Sequence, residues 1–353
     1  MLRGMANRSE SLLLQGLTTL VLLPWFVVAL ATKAPAFRKN PVLGSRLLNR
    51  LGLHVIRVVL AYGATHVRWF TLKHLVPESE RRAFHRDGFL VIEDFLPQPM
   101  FDALAKDARQ YQGRGLQQMQ GDTLTQHVFL DTEGLLALPS AQAVIDHARF
   151  RDLLKYTGSH SAMPYLFLQR IVNGFADAGH DPQKDLHKDT FHPTMKAWLF
   201  LDDVDADSAP FTYVPGSHQL TMSRLRWEYS MSLDAARSSN GHTANGAFRL
   251  SREDLGAMGL PAPKAIAAKK NTLVLANTVG FHCRGKAKGR VTRLELWAYS
   301  RKNPFLLWPG FDSRTVQRIE GNIVRRVRNW GEMRTRKAGK QAQWVTTMLD
   351  FRR

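Results

Sequence analysis

From Leu12 to Ala31 the chain reads LLLQGLTTLVLLPWFVVALA, twenty residues without a charge. About 20 apolar residues are what a helix needs to cross the hydrocarbon of a bilayer, and so long an uncharged run does not lie on the surface of a globular domain. Pro24 and Trp25 fit a membrane helix, which tolerates proline and favours tryptophan at its ends. Arg3, Arg8 and Glu10 precede the run; Lys33, Arg38, Lys39, Arg46, Arg50 and Arg57 follow it. The heavier positive flank stays in the cytoplasm, so residues 1–33 are expected to anchor a cytoplasmic body to the membrane. A cleaved signal peptide is the alternative, with Ala29-Leu30-Ala31 at cleavage spacing. Against it stand the length of the run and the basic residues just after it. A buried core helix is the third reading.

The charge is placed unevenly. The net formal charge is +19, yet residues 87–300 hold 23 basic and 23 acidic side chains. All the excess lies in 1–86 and 301–353. A neutral centre between cationic flanks suits a globular domain whose ends meet an anionic surface, and it is unlike an evenly basic nucleic-acid binder. The single cysteine, Cys283, excludes an intramolecular disulfide framework and a thiolate-rich metal cluster.

Between residues 34 and 79, Leu47, Leu48, Leu51, Val55, Val58 and Val59 fall largely on one side of a helix. Arg46, Arg50, His54 and Arg57 collect on the other. An apolar face opposite a basic one is how a helix lies in the headgroup layer, although a helix packed on the following domain has the same pattern. The basic extension 301–353 interleaves Arg325, Arg326, Arg328, Arg334, Arg336, Lys337 and Lys340 with Trp330 and Trp344. Anionic lipid is its expected partner; single-stranded nucleic acid and plain solvent are the competing readings, and no nucleic acid is expected beside a membrane span.

In the neutral middle, His85 to Pro97 reads as helix, turn at Gly88, strand, and stop. Residues 99–112 look helical, with Phe101, Leu104 and Ala108 on one face. Short apolar strands recur at Tyr165–Val172, Ala197–Leu201, Phe211–Val214, Leu273–Ala276 and Val291–Tyr299, separated by turn-rich stretches at 173–184 and 238–246. Many short strands after leading helices predict an antiparallel sandwich or barrel with helices outside.

The chemistry lies in Asp185-Leu186-His187-Lys188-Asp189-Thr190. Residues two apart in a strand point the same way, so His187 and Asp189 can converge on one ion. His282, after the strand ending at Ala276, is a credible third ligand. Two histidines and one carboxylate leave open positions on the metal, the facial arrangement of non-haem Fe(II) oxygenases.

Four segments occur in order: HRDGFLVIEDFLP, HKDTFHPTMKAWLFLDDVD, the turn Tyr213-Val214-Pro215-Gly216-Ser217-His218, and His282 followed by Arg293 in RVTRLELWAYS. With them, residues 80–300 resemble the phytanoyl-CoA dioxygenase family of Fe(II)/2-oxoglutarate oxygenases. The resemblance implies a mainly β domain with flanking helices, a double-stranded β-helix of the cupin-like jelly-roll kind. It implies His187, Asp189 and His282 as the catalytic iron ligands, with 2-oxoglutarate as cosubstrate and O2 as oxidant. Arg293 would hold the far carboxylate of 2-oxoglutarate, where a planar guanidinium suits bidentate pairing. Trp198 would lie beside the cosubstrate, with Lys196 and Gln169 as further candidates for that pocket. Related halogenases replace the carboxylate ligand by a small residue, so Asp189 implies hydroxylation.

Ser208-Ala209-Pro210 departs from the Asn-Gly-Pro of many relatives, and Arg284 stands where a small polar residue is frequent. His180 and His192 are expected to serve structure or solvent, His218 to order its turn, Cys283 to be passive, and Glu295 and Trp297 to pack or pair beside Arg293. The membrane setting makes an amphiphile, such as a fatty-acyl chain, a polar lipid or a lipid-linked glycan, the expected substrate. Two other readings remain: an inactive oxygenase fold that only binds, and a basic adaptor for nucleic acid. The first predicts no iron binding, the second a strongly salt-dependent affinity for DNA or RNA.

Overall fold

The computed structural model describes residues 21–176, 179–339 and 342–352. Among these residues eleven strands form two antiparallel sheets. They are β1 (Phe89–Ile92), β2 (Gln112–Gln120), β3 (Thr123–Phe129), β4 (Tyr165–Asn173), β5 (Met195–Phe200), β6 (Phe211–Tyr213), β7 (Lys264–Ile266), β8 (Leu273–Asn277), β9 (His282–Arg284), β10 (Val291–Ser300) and β11 (Val345–Asp350). The larger sheet runs β1-β8-β5-β10-β4-β3-β2-β11 and the smaller β7-β6-β9. Six helices of ten residues or more flank them: α1 (Leu53–Leu72), α2 (Glu78–Asp87), α3 (Gln98–Arg109), α4 (Ala148–Gly158), α5 (Met222–Asp234) and α6 (Arg314–Lys337).

The period-2 alternation of strands divides the core in two. Leu199, Leu273, Leu275, Leu294 and Leu296 point to one side of the large sheet and bury Phe84 of α2, Phe101 and Leu104 of α3, and Leu153 and Leu154 of α4. Their neighbours Trp198, Phe200, Val274 and Ala276 point to the other side, against Phe211, Tyr213 and Ile266 of the small sheet. The expected strands and the helix over 99–112 are all present, with helices outside the paired sheets. At the end of α2, Gly88 takes φ 87°. A side chain there would meet the Tyr213 hydroxyl at 2.5 Å and His218 Nδ1 at 2.6 Å, so the helix-to-strand turn requires glycine twice over.

The expected helix between residues 34 and 79 is broken at Leu51 and Gly52, and its basic side is divided, with Arg46 and Arg50 exposed but His54 and Arg57 buried. Arg57 and Arg68 of α1 are buried, not presented to headgroups. Arg57 donates to the carbonyls of Leu30, Thr32 and Ala34 at 3.0 to 3.1 Å and lies 4.1 Å over the Phe191 ring. Arg68 donates to the carbonyls of Ser159 and Pro304 at 3.0 and 3.1 Å. A guanidinium offers five donors, and here loop carbonyls absorb them. Ile56, Val59, Leu60, Val67 and Phe70 of α1 face outward, while Val58, Ala61, Tyr62, Trp69 and Leu72 of the same helix are buried.

Of the uncharged run, Leu12 to Leu20 lie outside the described residues. Val21 to Val28 are helical, with Val21, Trp25, Val27 and Val28 exposed. No helix among the described residues is long and apolar enough to cross a membrane. The basic C-terminal stretch closes back on the domain. β11 pairs with β2 from Val345↔Gln117 to Asp350↔Gln112, Arg325 of α6 donates to Asp131 at 2.6 Å, and Trp344 stacks on His127 with ring centres 4.6 Å apart.

Candidate active site

The segment carrying His187 is held between the small sheet and the Phe248–Leu250 stretch by backbone hydrogen bonds. His187 and His282 exchange two, at 3.0 and 2.9 Å, Lys188 N donates to Phe248 O, and Asp189 N donates to Thr278 O. This extended pairing turns His187 and Asp189 to one side and Lys188 to the other. The Lys188 ammonium there meets Glu228, and both side chains are buried.

His187, Asp189 and His282 offer ligand atoms that all lie within 4.8 Å of one another. Asp189 Oδ1 is 3.9 Å from His187 Nε2 and 3.7 Å from His282 Nε2, spans that two metal–ligand bonds of about 2.1 Å can bridge. The Nδ1 atoms are taken: His187 Nδ1 pairs with Asp185 O at 2.7 Å and His282 Nδ1 with Gly280 O at 2.9 Å. Each carbonyl fixes the tautomer that leaves the Nε2 lone pair facing Asp189. His282 Nε2 is buried without a hydrogen-bond partner, a loss of about 1–3 kcal/mol for a polar atom in the interior that a metal bond would recover. Burial pushes the His282 imidazole down to about 4 and His187 well below its ordinary value, so both are neutral, the form that ligates. Burial would raise the Asp189 carboxyl, but the Lys196 ammonium and the imidazoles hold it well below the carboxylate range. The donor set therefore fits a divalent transition metal such as Fe(II).

Lys196 donates to Asp189 Oδ1 at 3.0 Å, and its ammonium lies 2.8 Å from Oδ2. Trp198 stacks on Phe211 at 4.4 Å, and Phe211 lies 5.7 Å from the His282 ring. Arg293 is buried; its Nη1 donates to Ala209 O at 2.5 Å and its Nε lies 3.1 Å from Glu295 Oε2, without hydrogen-bond geometry between the latter two. Gln169 does not stand free in the pocket. Its amide donates to Glu295, and its oxygen meets His127 Nε2. The chain His127–Gln169–Glu295 thus backs Arg293, a support that polar residues on three separate strands do not announce in sequence.

Of the other singled-out residues, His180 is exposed and pairs with Asp185, His192 is buried with Nδ1 3.0 Å from Pro193 O, and His218 Nε2 donates to His85 O at 3.2 Å in the turn. Cys283 is half-buried, and burial pushes its thiol up to about 11, away from thiolate chemistry. Glu295 pairs with Arg293, and Trp297 packs against His127 at 5.1 Å. The departure at Ser208-Ala209-Pro210 has a visible consequence: Ala209 has φ 53°, a conformation glycine adopts at lower cost, and its carbonyl receives the Arg293 guanidinium.

No curated protein matches the chain. Among solved structures, the chain is similar to the epimerase SnoN from nogalamycin biosynthesis in complex with Fe3+, alpha ketoglutarate and nogalamycin RO. That likeness has 17% identity over 65% of this chain and 82% of that one, with a TM-score of 0.42. HygX from Streptomyces hygroscopicus with nickel and 2-oxoglutarate bound is 16% identical over 64% and 86%, with a TM-score of 0.37. EctD from S. alaskensis with bound Fe is 14% identical over 64% and 76%, with a TM-score of 0.39. The model of the phytanoyl-CoA dioxygenase family matches residues 84–248, which contain the turn at Gly88, both ligands of the His187–Asp189 pair and the turn at His218. Residues 84–248 thus resemble the phytanoyl-CoA dioxygenase family, and with His282 completing the metal-binding triad they identify a non-haem Fe(II)/2-oxoglutarate-dependent dioxygenase.

Proposed function

We propose that this oxygenase works at a membrane surface and hydroxylates an unactivated C–H bond of an amphiphilic lipid or fatty-acyl substrate. The overall exchange balances as substrate R–H, 2-oxoglutarate and O2 giving R–OH, succinate and CO2. Fe(II) with 2-oxoglutarate and O2 supplies an oxidant strong enough for such a bond, and the protein's part is to bind, orient and exclude water. His187, Asp189 and His282 hold the metal. Arg293 would hold the far carboxylate of 2-oxoglutarate, a role supported by its Nη2, which donates to no protein group among the described residues, while Nη1 is engaged by Ala209 and Nε lies beside Glu295. Trp198 supplies an apolar wall, Lys196 steadies the Asp189 carboxylate, and Gln169 steadies Glu295.

The observation that carries the membrane setting is the outer face of α6. Val316, Ile319, Ile323, Val327 and Trp330 recur at helical spacing, and each is more than half exposed. The same helix carries eight basic residues and two acidic ones. Exposed apolar stripes of this extent mark interaction surfaces, and an arginine-rich apolar helix suits anionic lipid. The outward apolar side of α1 and the exposed Val21–Val28 helix have the same character.

Turnover decides the substrate class. Succinate formation and oxygenated product, measured with a lipid extract, should rise together in a one-to-one ratio. Stimulation by a water-soluble extract and none by lipid would sink the lipid reading and leave the oxygenase standing. Membrane association has its own test. The double variant Ile323→Glu, Val327→Glu should sediment with phosphatidylglycerol vesicles at least about tenfold more weakly, since each apolar side chain is worth about 1.5 kcal/mol or more on burial. Unchanged sedimentation of the full chain would remove α6 from the interface.

A further inference from the structure

A cleft of about 710 Å³ lies between α6 and the end of the domain where β3 runs into the short helix Thr132–Ala137 and β4 begins, and none of the metal ligands lines it. Small-molecule pockets have volumes of roughly 300–1,000 Å³. The floor is apolar, with Leu130, Leu135, Ile145, Met163 and Leu166, and Leu136, 80% exposed, stands at the lip. Arg314, Gln317, Arg318 and Gly321, spaced as one side of a helix, are the part of α6 turned to the cleft. The outward stripe of Val316, Ile319, Ile323 and Val327 occupies the opposite side of the same helix.

Three carboxylates line the cleft, and each is already paired: Asp131 with Arg325, Asp146 with Arg314 at 2.8 Å, and Glu320 with Lys302 at 2.8 Å. Arg151 is taken by Asp312. Arg318 is exposed and has no ion-pair or hydrogen-bond partner among the described residues. The rim therefore keeps one uncompensated cation, open to solvent, above an apolar floor. A small polar anion would leave that floor unused, and a neutral hydrocarbon would leave the guanidinium unused. A ligand with an anionic head and an apolar chain uses both.

The inner end of the cleft meets the face of the large sheet that carries the metal site. Tyr165, half-buried in the cleft wall, stands opposite Tyr299 on β10, and Tyr299 stands opposite Lys196 on β5. Directly opposed residues share a face, the two tyrosine rings lie 5.5 Å apart, and Lys196 donates to Asp189. Two strand spacings separate Tyr165 from Lys196, about 10 Å. We propose that this cleft binds the alkyl chain of an anionic amphiphile, with the head at Arg318. That the amphiphile is the substrate rests on the reaction proposed above; on that basis the C-terminal extension sets the chain length the enzyme accepts.

The test is calorimetric titration of the full chain with linear alkanoates from hexanoate to tetradecanoate, each below its micelle concentration. Affinity should rise about three- to fourfold with each added methylene until the cleft is full. Gly321 is buried, and a Cβ there would meet Asp131 Cβ at 3.5 Å and the Phe129 ring at 3.9 Å, ordinary contact distances. Gly321→Leu thus puts bulk into the cleft while replacing a residue that weakens helices, and the rise should stop about three to four carbons sooner. Arg318→Gln should lower every affinity by a similar factor, about two- to fivefold, as for an exposed charge pair. Thermal unfolding followed by circular dichroism verifies that each variant is folded. Absence of saturable binding to the wild type, or an unchanged chain-length limit in folded Gly321→Leu, overturns the site. Succinate formation with the lipid extract should fall in Gly321→Leu; a shifted limit with unchanged succinate formation overturns the assignment of the chain to the substrate. Alkanoate binding as expected, with no succinate formed from the lipid extract by the wild type, sinks the lipid substrate and leaves the site standing.

Discussion

His282→Ala should abolish the visible charge-transfer band that Fe(II) and 2-oxoglutarate give together under anaerobic conditions, and Asp189→Ala should do the same. Each removes one of three protein ligands, so the loss should exceed the roughly 10–100-fold that follows removal of a partner merely orienting a ligand. The effect also appears without catalysis. At a free metal concentration one hundred times its dissociation constant, wild type should gain about 2.7 kcal/mol of stability from binding, whereas His282→Ala should gain none. The informative control is His192→Ala. His192 Nε2 is also buried and unpaired, yet the group whose ligand atoms converge is His187, Asp189 and His282. A band that survives His282→Ala and disappears in His192→Ala would overturn the ligand assignment.

That triad was legible because strand geometry is simple. His187 and Asp189 are two apart, so an extended backbone places them together whatever surrounds them. Leu273–Asn277 was equally plain, since a strand covered on both faces reads as a dense apolar run, and Val291–Ser300 shows the other strand signal, Leu294, Leu296 and Ala298 alternating with Arg293, Glu295 and Trp297. The segments β2 and β3 carry no such signal: Gln112–Gln120 is QGRGLQQMQ, and its strand character comes from pairing with β3 and β11, not from its own side chains. The orientation of α1 was hidden for a different reason. Helical periodicity separates two faces without saying which is inside, and arginine is ordinarily placed outward. Here Arg57 and Arg68 are buried because backbone carbonyls of 30–34 and 304, remote in sequence, surround them. The same ambiguity covers α6, whose eight basic residues mask an apolar stripe. Resemblance could nominate Arg293, but its backing by Glu295, Gln169 and His127 depends on the registers Glu295↔Gln169 and His127↔Gln169, which only the folded sheet reveals.

The extended segment that carries His187 and Asp189 is fixed from behind, and breaking that support should be strongly destabilising. Lys188 points away from the metal and places its ammonium on both oxygens of Glu228. The same carboxylate receives Arg224 Nε at 3.1 Å and His54 Nε2 at 2.9 Å. Every member is buried, so Glu228→Gln leaves two cations facing a neutral amide where water cannot reach them. Deleting one partner of a buried ionic cluster costs about 3–5 kcal/mol; the rings of Phe248, 4.5 Å from Lys188 Nζ, and Phe281, 4.1 Å from the Arg224 guanidinium, soften that loss without cancelling it. The dependence on pH identifies the cause. Burial would raise the Glu228 carboxyl, but Lys188, His54 and Arg224 hold it well below its ordinary 4.5. The unfolded chain therefore takes up the proton first as pH falls, and the stabilisation is complete above the unfolded value and drains away below it. The gap in denaturant-unfolding free energy between wild type and Glu228→Gln should be widest above about pH 5.5 and narrow steadily below pH 4.5. A gap under about 1 kcal/mol, or one that stays constant across this range, would mean that packing alone positions the ligand strand. Because Lys188 sits between His187 and Asp189, the same variant should bind Fe(II) more weakly even where it remains folded, while Glu228→Asp, which keeps the charge, should recover part of both losses.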